Sequence, residues 1–164
     1  MSMRITFGVD PGLSGAIAVL RDGEPFTVHD MPTFMRGDWK EVDAAGIKVI
    51  VQEVRAANPG AYFSACIERV KAMPTDGRTS GFRFGDTFGK IKATFECLTM
   101  AYELVDPPVW KRRFGLIGAA KDGSRLLALE RFPDMAHYLK RKKDDGRAEA
   151  CLIGLYMEQT SYGR

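Results

Sequence analysis

Histidine is nearly missing from this chain, with His29 and His137 the two examples in 164 residues. They are too isolated for a histidine-built zinc centre, and read as one surface and one partly packed residue. Cysteine is also scarce. Cys66, Cys97 and Cys151 are odd in number, far apart and set among apolar neighbours. That excludes a disulfide framework or cysteine zinc site and predicts buried free thiols in a reducing, cytoplasmic setting. No apolar run approaches a membrane span, and the start of the chain lacks a secretory-signal pattern, so no membrane partner is expected. No internal repeat, low-complexity tract or linker interrupts the sequence, which predicts one domain over 1–164 with a proper core. Hydrophobic residues at 45% and charged residues at 27% are ordinary for a globular protein.

What is present begins with the run Arg4 to Leu20. Ile5, Phe7 and Val9 alternate with Thr6 and Gly8, a period-two strand pattern that ends in Asp10. Asp10-Pro11-Gly12 breaks the run, and Gly15 to Leu20 returns as the second strand of a hairpin. Aspartate commonly initiates such a turn. A carboxylate set directly after an apolar strand also costs free energy unless its charge is compensated.

Pro25 to Met31 supplies a shorter third strand, and Met31 to Asp38 reads as a loop. Asp43 to Ala57 is a helix with Ile47, Ile50, Val51 and Val54 on one face, stopped by Asn58-Pro59-Gly60. Ala61 to Val70 is a strand leading into Glu68. Lys71 to Gly85 is polar and glycine-rich and reads as a loop carrying Phe82 and Phe84. Phe88 to Met100 is a second helix, Tyr102 to Val105 a short strand closed by Pro107-Pro108, Lys121 to Phe132 a third helix and Asp145 to Gln159 the last. The order implies an α/β fold: a three-strand antiparallel meander plus parallel strands, with helices on both faces. A right-handed crossover makes the Ala61–Val70 strand parallel to the first, so Asp10 and Glu68 both lie at carboxyl ends, where such sheets bind ligands.

A third acidic contribution comes from Asp144-Asp145-Gly146-Arg147-Ala148-Glu149. Asp145 is placed to cap the last helix. Glu149 shares a face with Leu152, Ile153 and Tyr156, so it points toward the sheet, and Asp145 lies one turn earlier on that side. Asp144 can substitute for Asp145. Carboxylates converging on one spot raise one another's pKa, and hard divalent cations resolve the conflict. Two Mg2+ or Mn2+ ions in such a site can hydrolyse a phosphodiester. No organic cofactor is expected.

The net charge of +3 is unevenly spread. Asp106 to Arg147 holds eleven basic against six acidic residues, a surplus of five that leaves the remainder at minus two. Lys111, Arg112, Arg113, Lys121, Arg125 and the run Lys140 to Lys143 can line a phosphate-neutralising groove or form a solvated face. Trp110 reads as packed against the domain. Phe82 and Phe84, flanked by Arg78 and Arg83, are candidates to stack on bases, and Lys71 lies in the same basic segment.

Gly8-Val9-Asp10-Pro11-Gly12-Leu13-Ser14-Gly15-Ala16 resembles the opening of RuvC-type Holliday-junction resolvases, RNase H-like nucleases. Ile67-Glu68-Arg69-Val70 resembles their second acidic motif. Pro108-Val109-Trp110-Lys111, then Ala119-Ala120-Lys121-Asp122 and Arg125, resembles the segment before their penultimate helix, and Asp144 to Ala150 their C-terminal acidic motif. The matches keep family order over nearly the whole chain, and the glycine-rich segment and compact length look most like phage or prophage versions.

The resemblance implies Asp10, Glu68, Asp145 and Glu149 as ligands of two metal ions, with Lys111 and Lys121 near the scissile phosphate. It also implies four-way or branched DNA as substrate and a two-fold homodimer, for which Phe88–Met100 can supply the seam. Three departures stand out. The last acid is usually Asp, so Glu149 is one methylene longer. The preceding position, often His or Asp, is open to Asp144 or Asp145. Where cellular resolvases carry an aromatic after the second acid, this chain has Val70, Lys71 and Met73. Two other readings fit part of the pattern: a branched-DNA binder without catalysis, and an actin-like or sugar-kinase-like ATPase, for whose two lobes the chain is short.

Overall fold

The structure is a computed structural model that describes residues 2–71, 75 and 77–163. Strands β1 (Arg4–Asp10), β2 (Ala16–Arg21) and β3 (Glu24–Asp30) form the antiparallel meander. Its second turn is Asp22-Gly23, both at positive φ (49° and 92°), the backbone that a tight two-residue hairpin requires. Two further strands, β4 (Thr33–Arg36) and β5 (Trp39–Val42), pair as a separate hairpin where the sequence suggests a loop. Their four-residue length and mixed burial, with Val42 in the core and Met35 and Trp39 exposed, leave no apolar alternation to read.

Helix α1 (Ala44–Ala57) starts at Asp43, whose carboxylate accepts from the Ala45 N–H. Strand β6 (Tyr62–Glu68) then runs parallel to β1, and β7 (Ala101–Val105) parallel to β6, giving the order β3-β2-β1-β6-β7. Between them, helix α2 spans Arg78–Cys97. The expected loop of Lys71 to Gly85 is therefore helical from Arg78 onward, despite its glycines, while Met73 lies outside the described residues. Pro107-Pro108 does close β7, but by opening a short helix, α3 (Pro107–Arg113), with proline in its first turn. Helices α4 (Gly123–Arg131) and α5 (Asp145–Ser161) complete the chain.

The two faces of the sheet carry separate cores. Ile5, Phe7, Val9, Ala65 and Ile67 pack with Ile47, Val51, Ile91 and Phe95 of α1 and α2. Ala16, Ala18, Leu20 and Cys66 pack with Trp110, Ala128, Cys151, Leu152 and Ile153 of α3, α4 and α5. Strand parity then assigns the even residues of β1 and β6 to the α5 side, which turns Asp10 and Glu68 toward the start of that helix. They stand one residue beyond the paired Val9 and Ile67.

Close approach makes this precise. A Cβ on Gly8 would lie 2.0 Å from the Ala150 carbonyl oxygen and 2.5 Å from the Gly154 nitrogen. Helix α5 therefore rests on β1 backbone to backbone, and any side chain at Gly8 would lift it, with Glu149, off the sheet. The expected helices on both faces of a mixed sheet are present. Cys97 departs from expectation: it is exposed at the end of α2, while Cys66 and Cys151 are buried. The histidines are reversed too, with His29 partly buried and His137 exposed.

Candidate metal centre

Three acidic side chains from two elements line the site, Asp10 at the end of β1 and Asp145 and Glu149 in the first turns of α5. Glu68, at the end of β6, lies outside the cavity lining but close enough to act on Asp10. The larger cavity, about 670 Å³, is lined by Asp10, Asp145 and Glu149 with the β1–β2 turn, Lys71 and the Arg83–Phe84 stretch of α2. A smaller one of about 240 Å³ shares Asp145 and Glu149 with it and adds Lys111 and Lys121. Gly146 makes the juxtaposition possible, since a Cβ there would meet Asp10 Oδ2 at 3.1 Å and the Ser14 carbonyl at 2.6 Å.

Burial pushes the Asp10 carboxyl up to about 8, and Glu149, Glu68 and Asp145 each add to that rise. The Lys111 ammonium acts against it. Glu68 is raised chiefly by burial, while the Trp110 indole N–H, donating to Oε2 at 2.7 Å, holds it down. Glu149 accepts from Ser124 Oγ at 3.0 Å and lies 3.1 Å from Lys111 Nζ. The donor set is all oxygen, negative and under-compensated, which suits a hard divalent cation. Among the described residues, no three of His, Cys, Asp and Glu close to the spacing at which one ion would be held. Lys111 is the cation that faces the cluster.

Asp144 is not brought to this cluster. It is buried and clamped by Arg141 at 2.7 Å, which keeps its carboxyl below the usual range. Capping is the reason: Asp144 closes the turn before α5 by accepting from the Arg141 backbone N–H at 2.8 Å. Asp145 is the member of the pair that lines the cavity.

The basic residues divide similarly. Lys111 and Lys121 border the smaller cavity, and Lys71 and Arg83 the larger one. Arg78, Arg112, Arg113, Lys142 and Lys143 are exposed. Arg125 turns inward to Asp122 at 2.7 Å and to the Leu139 carbonyl at 3.0 Å. Phe82 is 78% exposed and Phe84 half exposed, both now on a helix. Trp110 is fully buried, in keeping with a packing role; its hydrogen bond to Glu68 is what the sequence reading missed, because nothing local pairs residues 42 positions apart.

No protein-family profile and no curated protein matches the sequence. Solved structures do. The RuvC of Thermus thermophilus in complex with a Holliday junction substrate superposes with a TM-score of 0.63 at 14% identity, covering 98% of this chain and 96% of that one. A second Thermus thermophilus RuvC structure gives a TM-score of 0.56 at 14% identity, over 97% and 96%. The fold is RuvC-like. On this RuvC-like frame the acidic side chains stand at the carboxyl ends of neighbouring parallel strands and at the start of the helix crossing them. No described helix is long and apolar enough to cross a membrane.

Proposed function

We propose that the chain is a divalent-metal-dependent endonuclease acting on Holliday junctions or other branched DNA. The observation that carries this reading is the convergence of Asp10, Asp145 and Glu149 on one cavity with Glu68 nearby, where burial first and the neighbouring acids second raise the Asp10 carboxyl to about 8. The RuvC-like fold supports it, since the Thermus relative is described with a Holliday junction substrate.

Asp10, Glu68, Asp145 and Glu149 would hold two ions, Mg2+ or Mn2+. Bound there, such ions supply an acidified water and positive charge at the phosphate. Trp110 and Ser124 fix one oxygen each of Glu68 and Glu149, which would leave the other oxygen of each for an ion. Lys111 and Lys121 border the pocket from the α3–α4 side and would neutralise the scissile phosphate. In-line attack of water at phosphorus breaks the bond to the 3′ oxygen, leaving a 5′-phosphate and a 3′-hydroxyl. Lys71, Arg83 and the exposed Arg112, Arg113, Lys142 and Lys143 would contact the backbone, with an affinity that falls as salt rises. Symmetric nicking calls for a two-fold homodimer.

The test is a labelled immobile four-way junction incubated with Mg2+ or Mn2+ beside linear duplex. Paired nicks in the junction, absent in Asp10→Asn although it still binds, support the nuclease. Tight binding without cleavage under either ion would leave a branched-DNA binder instead, and nucleotide binding without junction binding would favour the ATPase reading.

A further inference from the structure

The β4–β5 hairpin lies outside the five-stranded sheet, yet it holds an exposed tryptophan in a fixed place. Trp39 is 45% exposed and donates its indole N–H to Glu41 Oε1 at 2.9 Å. Glu41 also grips Arg36 at 2.8 Å and Lys90 of α2 at 2.9 Å, so the ring is tied through one carboxylate to hairpin and helix together. The Arg83 guanidinium sits 5.8 Å over the same ring. Arg83 also lines the cavity that contains Asp10, Asp145 and Glu149. An exposed indole costs apolar hydration, and holding it rigid removes the ordering cost that a ligand would otherwise meet.

We propose that Trp39 and Arg83 form a stacking platform for an unpaired nucleobase of branched DNA, continuous through Arg83 with the acidic pocket. The proposal rests on the nuclease reading and adds a contact to it. An aromatic face beside a guanidinium takes any base, while a duplex interior offers no free base face. Charge favours DNA over a second copy of the chain. With Arg36 paired to Glu41, exposed Lys40, Arg78 and Arg83 still outnumber Asp38 and Asp86 on the hairpin and the first turns of α2. A two-fold pairing would set that positive surplus against itself.

Trp39 and Trp110 are the two tryptophans of the chain, and Trp110 is fully buried, so the difference between wild type and Trp39→Phe isolates the fluorescence of Trp39. The experiment titrates the full-length protein with an immobile four-way junction in Ca2+. Saturable quenching that disappears in Trp39→Phe, with Trp39→Ala weakening junction affinity about tenfold and Trp39→Phe recovering most of it, supports the platform. Unquenched Trp39 in the complex overturns it, as does a Trp39→Ala affinity within twofold of wild type. If Trp39→Ala instead lowers the oligomeric mass by light scattering, the hairpin covers a second copy and the proposal falls. A wild-type protein that binds no junction removes the nuclease reading and the platform together, whereas cleavage with a silent Trp39 removes the platform alone.

Discussion

Helix α5 carries an acidic side chain near each end, and their surroundings differ in kind. Glu158 is fully buried and fully answered: Arg4 Nη2 donates at 3.0 Å and Thr6 Oγ1 at 2.5 Å, with the Arg4 guanidinium also stacked 4.8 Å over Tyr162. Glu149, nine residues earlier, has Ser124 and Lys111, but it shares them with a neighbourhood containing Asp10, Glu68 and Asp145. Lys111 is the cation in ion-pair contact there and Trp110 and Ser124 the neutral donors, while Lys71, Arg83 and Lys121 stand at the cavity walls. A carboxylate buried for architecture acquires partners that neutralise it. Carboxylates held together without enough partners break that local rule, as functional sites do.

The sharpest way to break the comparison is Asp10→Asn. At the pocket end it should lower junction cleavage on the order of a thousandfold or more. Junction binding should persist in a gel-shift assay; lost binding with a folded protein would make Asp10 a DNA contact. At the opposite end, Glu158→Ala should cost about 3–5 kcal/mol in urea unfolding, because it leaves the nearly buried Arg4 with only the longer Asp22 contact at 3.8 Å. Glu149→Ala should cost far less, and equal losses would erase the distinction between the two ends.

Trp110→Phe keeps an aromatic in the core and removes the donor to Glu68. Mn2+ affinity, read by electron paramagnetic resonance of the free ion, should fall about 10–100-fold. An unchanged affinity would reduce Trp110 to packing. The last effect concerns pH. Asp10 is raised from 3.8 to about 8 in the folded, metal-free protein, so the proton it binds favours folding, and that stability is lost as pH rises from about 4 to 8. Asp10→Asn should therefore raise the metal-free melting temperature at pH 8 relative to wild type, by about 2–4 °C per kcal/mol, and leave it little changed at pH 4. Asp30 and Asp144, held low by Arg147 and Arg141, act oppositely: their contribution is lost as pH falls below the ordinary carboxylate range.

How much of this was legible in the sequence follows from the range of the forces involved. Alternation in β1 and the 3.6-residue stripe of α5 are local, and they put Asp10, Glu68 and Glu149 at the right ends of their elements. The cap at Asp144 is local too, yet two adjacent aspartates offer the same chemistry, and only the Arg141 clamp separates them. The start of α2 was hidden by Gly77, Gly81 and Gly85, whose helix cost is met in context. The β4–β5 hairpin lacked any apolar period. Nothing local marks Glu158 as buried, because its partners Arg4 and Thr6 lie more than 150 residues away. The Trp110–Glu68 bond is invisible for the same reason.

The most direct measurement is Mn2+ binding to the metal-free protein by calorimetry, comparing wild type, Asp10→Asn and Glu158→Gln. Saturable binding of about two ions per chain in wild type, lost in Asp10→Asn and kept in Glu158→Gln, is the expected result. Binding that is absent in wild type, or equally tight in Asp10→Asn, would contradict a cation-gripping acidic pocket.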